Sequence, residues 1–265
     1  LGGLFRVIQF TQDDAHIYCT ESQMKDEITK IIDLTLAFYK KFNLEVNHIE
    51  LSTRPEKRIG SDKIWDLAEK TLEEVLKKKK VKYQINKGDG AFYGPKIDFH
   101  VKDSLNRTWQ CGTIQLDMAM PERFELEYIN EKGKKQRPIM LHRTIYGSLE
   151  RFIGVLLEHT NGRLPTWLAP IQVKLLSFTD KNIPAVKKLA EELINQGIRV
   201  ETDTEAAPMG GRIRTAELSK PAYIVVIGDK EEQNNELAVR KNRKVQNQNK
   251  DEFIKNLLEE IKERK

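Results

Sequence analysis

The sequence predicts an α+β protein in which helices pack against an antiparallel sheet and a small α/β domain follows. Three observations predict it. Between Val81 and Thr144 the chain breaks into short alternating segments separated by turn-rich pieces, the rhythm of antiparallel strands. Flanking them are longer stretches whose apolar residues recur at helical spacing. Past Pro170 strand and helix alternate, and "YIVVI" is apolar without interruption, as a strand covered on both faces would be.

Taken in order, "RVIQFTQDDAHIYC" (Arg6 to Cys19) opens the chain and alternates like a strand, yet carries Gln12, Asp13, Asp14 and His16. Thr20 with Gln23 resembles a capping box, and Ile28, Ile31, Ile32, Phe38, Tyr39 and Phe42 then predict a helix over 21–42. "LEVNHIELS" reads as a strand. After the loop "TRPEKRIG", Ser61 caps a second helix carrying Trp65, Leu67, Leu72 and Leu76. "VKYQI", "KIDFHVK", "RTWQCGTIQLD", "RFELEYI" and "RPIMLHRT" predict an antiparallel meander. "GSLERFIGVLLEH" predicts a helix with Leu149, Phe152, Ile153, Leu156 and Leu157 on one side. The punctuated "TNGRLPTWLAP" marks a boundary, giving domains at 1–168 and 169–265. The second reads as "IQVKLLSF", a helix over 184–196, "IRVETD", a short helix near 212–218, "AYIVVIG", "ELAVRKN" and a last helix from Asp251, with a hairpin on one edge and "NQNK" as a polar loop.

Composition sets wide bounds. The 265 residues are 39% hydrophobic and 32% charged, those of an ordinary folded protein, and no run of eighteen apolar residues appears. Cys19 and Cys111 make no disulfide framework, so a reducing compartment is expected. The charge of +5 permits nucleic-acid binding without demonstrating it, and "KKKKVK" and "RKNRK" are equally solvated ends of elements. The opening "LGGLF" is neither signal nor transit peptide and reads as the middle of a domain, with an N-terminal part expected before it.

Four polar clusters sit where packing alone would not place them. Asp14 and His16 share a strand face; Tyr93 and Lys96 lie in "FYGPKIDF"; Gln110, Gly112 and Asp117 break the alternation of "WQCGTIQLD"; His142 leads into a helix carrying Arg151. Burying such groups is costly unless they are paired, so together they predict a polar cleft floored by the sheet. Each also has an ordinary structural reading: a satisfied core histidine, a surface lysine, glutamines on backbone, Arg151 paired with Glu150 or Glu158, an inert Cys111. "GDGAFYG" has glycines without the strand and helix that a phosphate loop requires.

Seven stretches in the same order resemble the threonyl-tRNA synthetases of the class II aminoacyl-tRNA synthetases: "RVIQFTQDDAHIYC", "STRPEKRIGSDKIWDLAE", "GAFYGPKIDF", "WQCGTIQLD", "PERFELEY", "HRTIYGSLERFIGVLLEH" and "PTWLAPIQV". The resemblance implies a class II synthetase antiparallel sheet followed by an anticodon-binding α/β domain. It implies activation of threonine with ATP, with magnesium, and transfer to tRNA(Thr), by a homodimer in the cytoplasm or the mitochondrial matrix. A zinc ion is implied on His16 and His142, with a cysteine that the family pattern places before Leu1. Gln12, Asp14, Tyr93 and Gln115 then match the amino-acid pocket, Asp14 accepting from the substrate hydroxyl. Arg6, Phe10 and Arg151 match groups that hold ATP; with Arg6 and Arg151, Lys96 and Gln110 match catalytic positions near the carboxylate and phosphate. Arg214, Glu231 and Arg240 match positions that the family uses against anticodon bases, and Lys241 and Arg243 would suit tRNA phosphates. Ala206 stands where most of the family has asparagine, and "VRKN" where it has "VRTR". A noncatalytic tRNA-binding module of the same descent is the alternative; it has no physical need of His16, Asp14, Lys96, His142 and Arg151 together.

Overall fold

The computed structural model describes residues 1–264, which form two compact units, Leu1–His159 and a second beginning at Thr160. The "TNGRLPTWLAP" connection therefore goes with the second unit. The architecture is α+β, antiparallel and parallel strands flanked by helices.

In the first unit β1 (Ala15–Cys19) leads to α1 (Met24–Lys41), β2 (Glu45–Ser52), α2 (Asp62–Lys78) and β3 (Gln84–Asn86). Then come β4 (Lys96–Lys102), β5 (Thr108–Asp117), the short α3 (Met120–Arg123), β6 (Tyr128–Ile129), β7 (Lys135–Gln136), β8 (Ile139–Thr144) and α4 (Leu149–His159). The Ser61 hydroxyl accepts from the Ile64 amide and caps α2 as expected. The expected capping box at Thr20 is only half made: Gln23 Oε1 accepts from the Thr20 amide at 3.0 Å, but α1 starts after Gln23, with no side chain capping it.

The sheet order is β1-β8-β5-β4-β2-β3, and this is not a plain meander. β3 runs parallel to β2, because α2 carries the chain across between them. "RFELEYI" is not a strand of this sheet: Met120–Arg123 is a helical turn with Pro121 in its first turn, and Tyr128–Ile129 pairs only with Lys135–Gln136 in a separate hairpin. Two helical faces also differ from the spacing. Leu67, Ile153 and Leu157 are exposed, while Gly154 and Val155 turn inward. An apolar stripe wider than the buried one left the choice of face to the tertiary packing.

Strand alternation divides the sheet into two faces. Ile49, Leu51, Ile97, Phe99, Ile114, Leu116 and Leu141 are all buried, with α1 crossing them and the rings of Tyr39 and Phe99 6.4 Å apart. Each such side chain contributes on the order of 1.5–3 kcal/mol. The other face is polar, and register aligns it. His16 pairs with His142, His142 with Gln115, Gln115 with Lys96, Lys96 with Ser52 and Ser52 with Asn86, a single row across all six strands. In-register partners project from the same face, so residues far apart in sequence are neighbours here.

The second unit alternates β9 (Val173–Ser177), a 3-10 turn, α5 (Ile183–Asn195), β10 (Val200–Asp203), α6 (Met209–Leu218), β11 (Tyr223–Ile227), α7 (Asp229–Asn234), β12 (Glu236–Lys241), β13 (Lys244–Asn249) and α8 (Lys250–Glu263). Its order is β10-β9-β11-β12-β13, parallel in the first three strands and antiparallel at the β12–β13 hairpin. "NQNK" is therefore mostly strand, since β13 runs to Asn249 and pairs with β12 along its whole length. Its polar side chains suit an edge strand, mostly exposed. The unbroken "YIVVI" has its expected cause: Tyr223, Val225 and Ile227 pack with residues of α5 and α8, and Ile224 with Leu176 and Ala216 on the opposite side.

Candidate functional site

A cavity of about 580 Å³ opens on the polar face of the first sheet. Arg6, Phe10, Gln12, Asp14, Tyr93, Gln110, Gln115, His142 and Arg151 line it. His16 lies beside it through its pairing with His142, and Lys96 beside Gln115 on the adjoining strand.

The imidazoles of His16 and His142 meet edge to face, their centroids 4.5 Å apart. One ligand atom from each, and one from the Asp14 carboxylate, lie within 4.8 Å of one another. A set of two imidazoles and a carboxylate could coordinate a divalent metal such as zinc. Behind it, His142 Nε2 stands 3.0 Å from Oδ2 of Asp117, whose side chain is fully buried. That carboxylate fixes the ring and makes Nδ1 the free nitrogen, the arrangement found behind metal-bound histidines. Asp117 Oδ1 accepts from the amides of Ala119 and Met120, so the carboxylate is itself held.

Only Ala15–Cys19 of the opening stretch forms a strand, and the two adjacent acids that precede it do different work. Asp13 accepts from the amides of Ile145 and Tyr146 at 2.8 and 3.1 Å and ties the strand to the turn after β8. Asp14 is exposed to the cavity. Tyr93 donates to Gln115 Oε1 at 2.7 Å. Burial, then the charges of Asp117 and Asp14, raise the Tyr93 phenol above its ordinary range.

Lys96 and Gln110 converge on a residue that sequence reasoning passed over. Asp98, 1% exposed, lies 2.8 Å from the Lys96 ammonium and accepts from Gln110, Thr113 and Ser52. Burial works against the Lys96 charge, but Asp98 and Asp89 more than offset it and raise its pKa. The signal was there: an aspartate in the apolar run "KIDF", two residues past a lysine and therefore on the same strand face. Gln110 and Gln115 are on β5, inside the sheet and not at an edge.

The broken alternation of "WQCGTIQLD" has a geometric cause. The β4–β5 register shifts between Asp98 and His100, leaving Cys111 and Gly112 as an irregularity that returns Gln110 to the polar face. Tyr39 bridges it, accepting from the Gly112 amide at 2.8 Å and donating to the Ile145 carbonyl at 2.7 Å. A Cβ on Gly112 would fall 2.5 Å from that hydroxyl, so only glycine fits. Cys111 has the inert character allowed for it, its thiol pushed up to about 12 by burial. Arg151 does not pair with Glu150 or Glu158. Its guanidinium donates to the carbonyls of Phe5 and Gln110, at 3.1 and 3.5 Å, at the cavity wall.

In the second unit the predicted tRNA-facing residues are spread. Arg214 is exposed on α6. Arg240, at the end of β12, lies 3.9 Å from Glu217 on the same helix. Arg243 sits exposed at the hairpin tip, where Asn242 and Arg243 both have positive φ, as a two-residue hairpin turn requires. Glu231 is instead near the opposite end of β12, its carboxylate turned back onto the Gly228 amide. Lys241 is engaged: its ammonium is 2.8 Å from Glu260, 2.7 Å from the Tyr223 hydroxyl and over the Tyr223 ring. Arg212 is buried against Asp203 and the Ser177 carbonyl.

Comparison with known proteins agrees with this layout. Residues 1–160 match the model of the tRNA synthetase class II core domain (G, H, P, S and T), and residues 168–264 that of the anticodon binding domain. The chain is 50% identical over its whole length to a threonine–tRNA ligase of Carboxydothermus hydrogenoformans, and 53% identical over 98% of its length to one of Caldanaerobacter subterraneus subsp. tengcongensis. It spans 42% and 41% of the lengths of these curated relatives. The crystal structure described as the RNA binding domain of threonyl-tRNA synthetase from Cryptosporidium parvum superposes with a TM-score of 0.92 at 39% identity, over 97% of this chain and 65% of that one.

Proposed function

Since the chain belongs to the class II aminoacyl-tRNA synthetases, with the catalytic core and anticodon-binding domain of a threonyl-tRNA synthetase, we propose that it activates threonine with ATP and transfers it to tRNA(Thr). One observation carries the reading: the register row that brings His16, His142, Gln115 and Lys96 together beside a cavity whose wall holds Arg6 and Arg151.

In this reading His16 and His142 would hold zinc, their imidazoles meeting with centroids 4.5 Å apart and Asp117 orienting one ring from behind. Bound there, the ion supplies a Lewis-acid grip on the amino and hydroxyl groups of the amino acid. Asp14 accepts from the hydroxyl, and Gln12, Tyr93 and Gln115 close the pocket around the side chain. A site that satisfies a hydroxyl rejects valine strongly, because valine would leave its polar groups unpaired. Phe10 stacks on adenine. The substrate carboxylate attacks the α-phosphate in line, forming the carboxyl–phosphate bond as pyrophosphate leaves with magnesium. Arg6 and Arg151 neutralise the phosphates, while Lys96 and Gln110, both held by Asp98, position the carboxylate. No side chain acts as a nucleophile. Arg214, Glu231, Arg240 and Arg243 contact tRNA, and a homodimer is the working assembly.

The test is threonine-dependent ATP–pyrophosphate exchange by the native protein. Exchange with threonine, little with valine, and a loss of at least a hundredfold in Arg151→Ala is the expected result. Equal exchange with valine and threonine would overturn the specificity, and no exchange in zinc-replete protein would overturn the activity.

A further inference from the structure

A second cluster on the polar face lies outside the site described above. His48 and Glu50 share a face of β2, and His100 on β4 is the in-register partner of His48. One ligand atom from each of the three lies within 4.8 Å of the others. Their rings stack, centroids 4.3 Å apart and 14° from parallel. Glu50 reaches both, Oε1 at 3.1 Å from His48 Nε2 and Oε2 at 3.6 Å from His100 Nε2. We propose that His48, Glu50 and His100 form a second divalent-cation site of zinc type, which fastens β2 to β4.

Four features of the cluster point to a metal. His100 Nε2 is a buried ring nitrogen with no hydrogen-bond partner, and such a group needs an explanation. Donor atoms about 2.0–2.2 Å from one tetrahedral zinc stand roughly 3.3–3.5 Å apart. Glu50 spans the two rings with separate oxygens, Oε1 3.1 Å from His48 Nε2 and Oε2 3.6 Å from His100 Nε2, distances close to that spacing. The carboxylate is supported from behind, since the Asn86 amide donates to Glu50 Oε2 at 3.0 Å. Finally, both ladders are irregular here: β2–β4 shifts register between Val46 and His48, and β4–β5 between Asp98 and His100. A cation would pin the sheet where its own hydrogen bonding is interrupted.

The Asn47 amide stands 2.8 Å from His48 Nδ1 and 3.2 Å from the Thr108 hydroxyl. With the Asn47 nitrogen facing Nδ1, Nδ1 accepts and Nε2 faces Glu50 with its proton, so a metal taking Nε2 would displace that proton and switch the tautomer. All three ligands are largely shielded from solvent, between 17% and 24% exposed.

The test uses the 265-residue chain carrying His16→Ala and His142→Ala, so that, among the described residues, only this cluster offers two imidazoles and a carboxylate. It is equilibrated with zinc chloride, dialysed against metal-free buffer, and its zinc per chain is measured by mass spectrometry. One equivalent is expected, falling to none when His100→Gln is added, with far-ultraviolet circular dichroism checking the fold of each variant. A parallel melt reads the same site: zinc raises Tm in the double variant and leaves it unchanged with Glu50→Gln or His100→Gln. A folded double variant that retains no zinc would overturn the proposal, and so would zinc retention or a zinc-dependent Tm rise unaffected by His100→Gln and Glu50→Gln.

Discussion

His142 Nε2 lies 3.0 Å from Asp117 Oδ2, a histidine at the cavity held by an aspartate that water does not reach. Asp117→Asn keeps an oxygen for the Ala119 and Met120 amides but presents an NH2 to the ring, favouring the opposite tautomer. Zinc affinity at His16–His142 should fall by about 10–100-fold. Competition with a chromophoric chelator measures it, in a Glu50→Gln background that removes the second cluster.

Asp98 gathers Lys96, Gln110, Thr113 and Ser52 at one buried carboxylate. Asp98→Ala leaves a half-buried ammonium with only Asp89 to face and should cost about 3 kcal/mol in urea unfolding. Adding Lys96→Met removes the stranded charge. The double variant should be more stable than Asp98→Ala alone, an order that a simple cavity would not produce.

Tyr39 carries the irregular stretch of β5 on one hydroxyl. Tyr39→Phe leaves the Gly112 amide and the Ile145 carbonyl without that partner in the interior and should cost about 1–3 kcal/mol. Hydrogen exchange at the Gly112 amide should quicken with it. Unchanged exchange would mean that the bulge holds itself.

Asp103 turns the β4–β5 connection by accepting from the amides of Leu105 and Arg107, from Arg107 Nε and from Trp109 Nε1. Burial pushes its carboxyl up, but these donors outweigh it and hold the pKa at about 2, below the ordinary 3.8. A folded-state pKa below the unfolded one gives stability that is fully present above about pH 4 and lost as pH falls toward about 2. Denaturant midpoints between pH 5 and pH 2 should therefore decline less in Asp103→Asn than in the parent chain.

Much of this was legible from patterning, and the exceptions have physical causes. Period-two alternation found β2, β4 and β8, the turn-rich pieces around it found β5, and serine chemistry found the start of α2. "RFELEYI" alternates as well as any of them, but Pro121 begins a helical turn and Tyr128–Ile129 pairs in a hairpin of its own. The polar β13 looked like a loop because an edge strand needs no apolar face. His16, His142, Lys96 and Gln115 stood out one by one as polar groups on strands. Asp117 was read as part of the polar cleft, whereas Asp98, His48 and His100 did not stand out: Asp98 lies within an apolar run, and His48 meets His100 only through the β2–β4 register.

The sequence by itself determined the two faces of the regular strands, since those depend on local periodicity and turn chemistry, but not the buried faces of α2 and α4 or the irregular stretch at Cys111–Gly112. It also carried the family resemblance. The tertiary structure alone decided how the strands are ordered and at what register. That decision makes His16 a neighbour of His142 and His48 a neighbour of His100. A one-residue slip in pairing would send every side chain to the other face and dissolve both clusters, and nothing local in the sequence states which register wins.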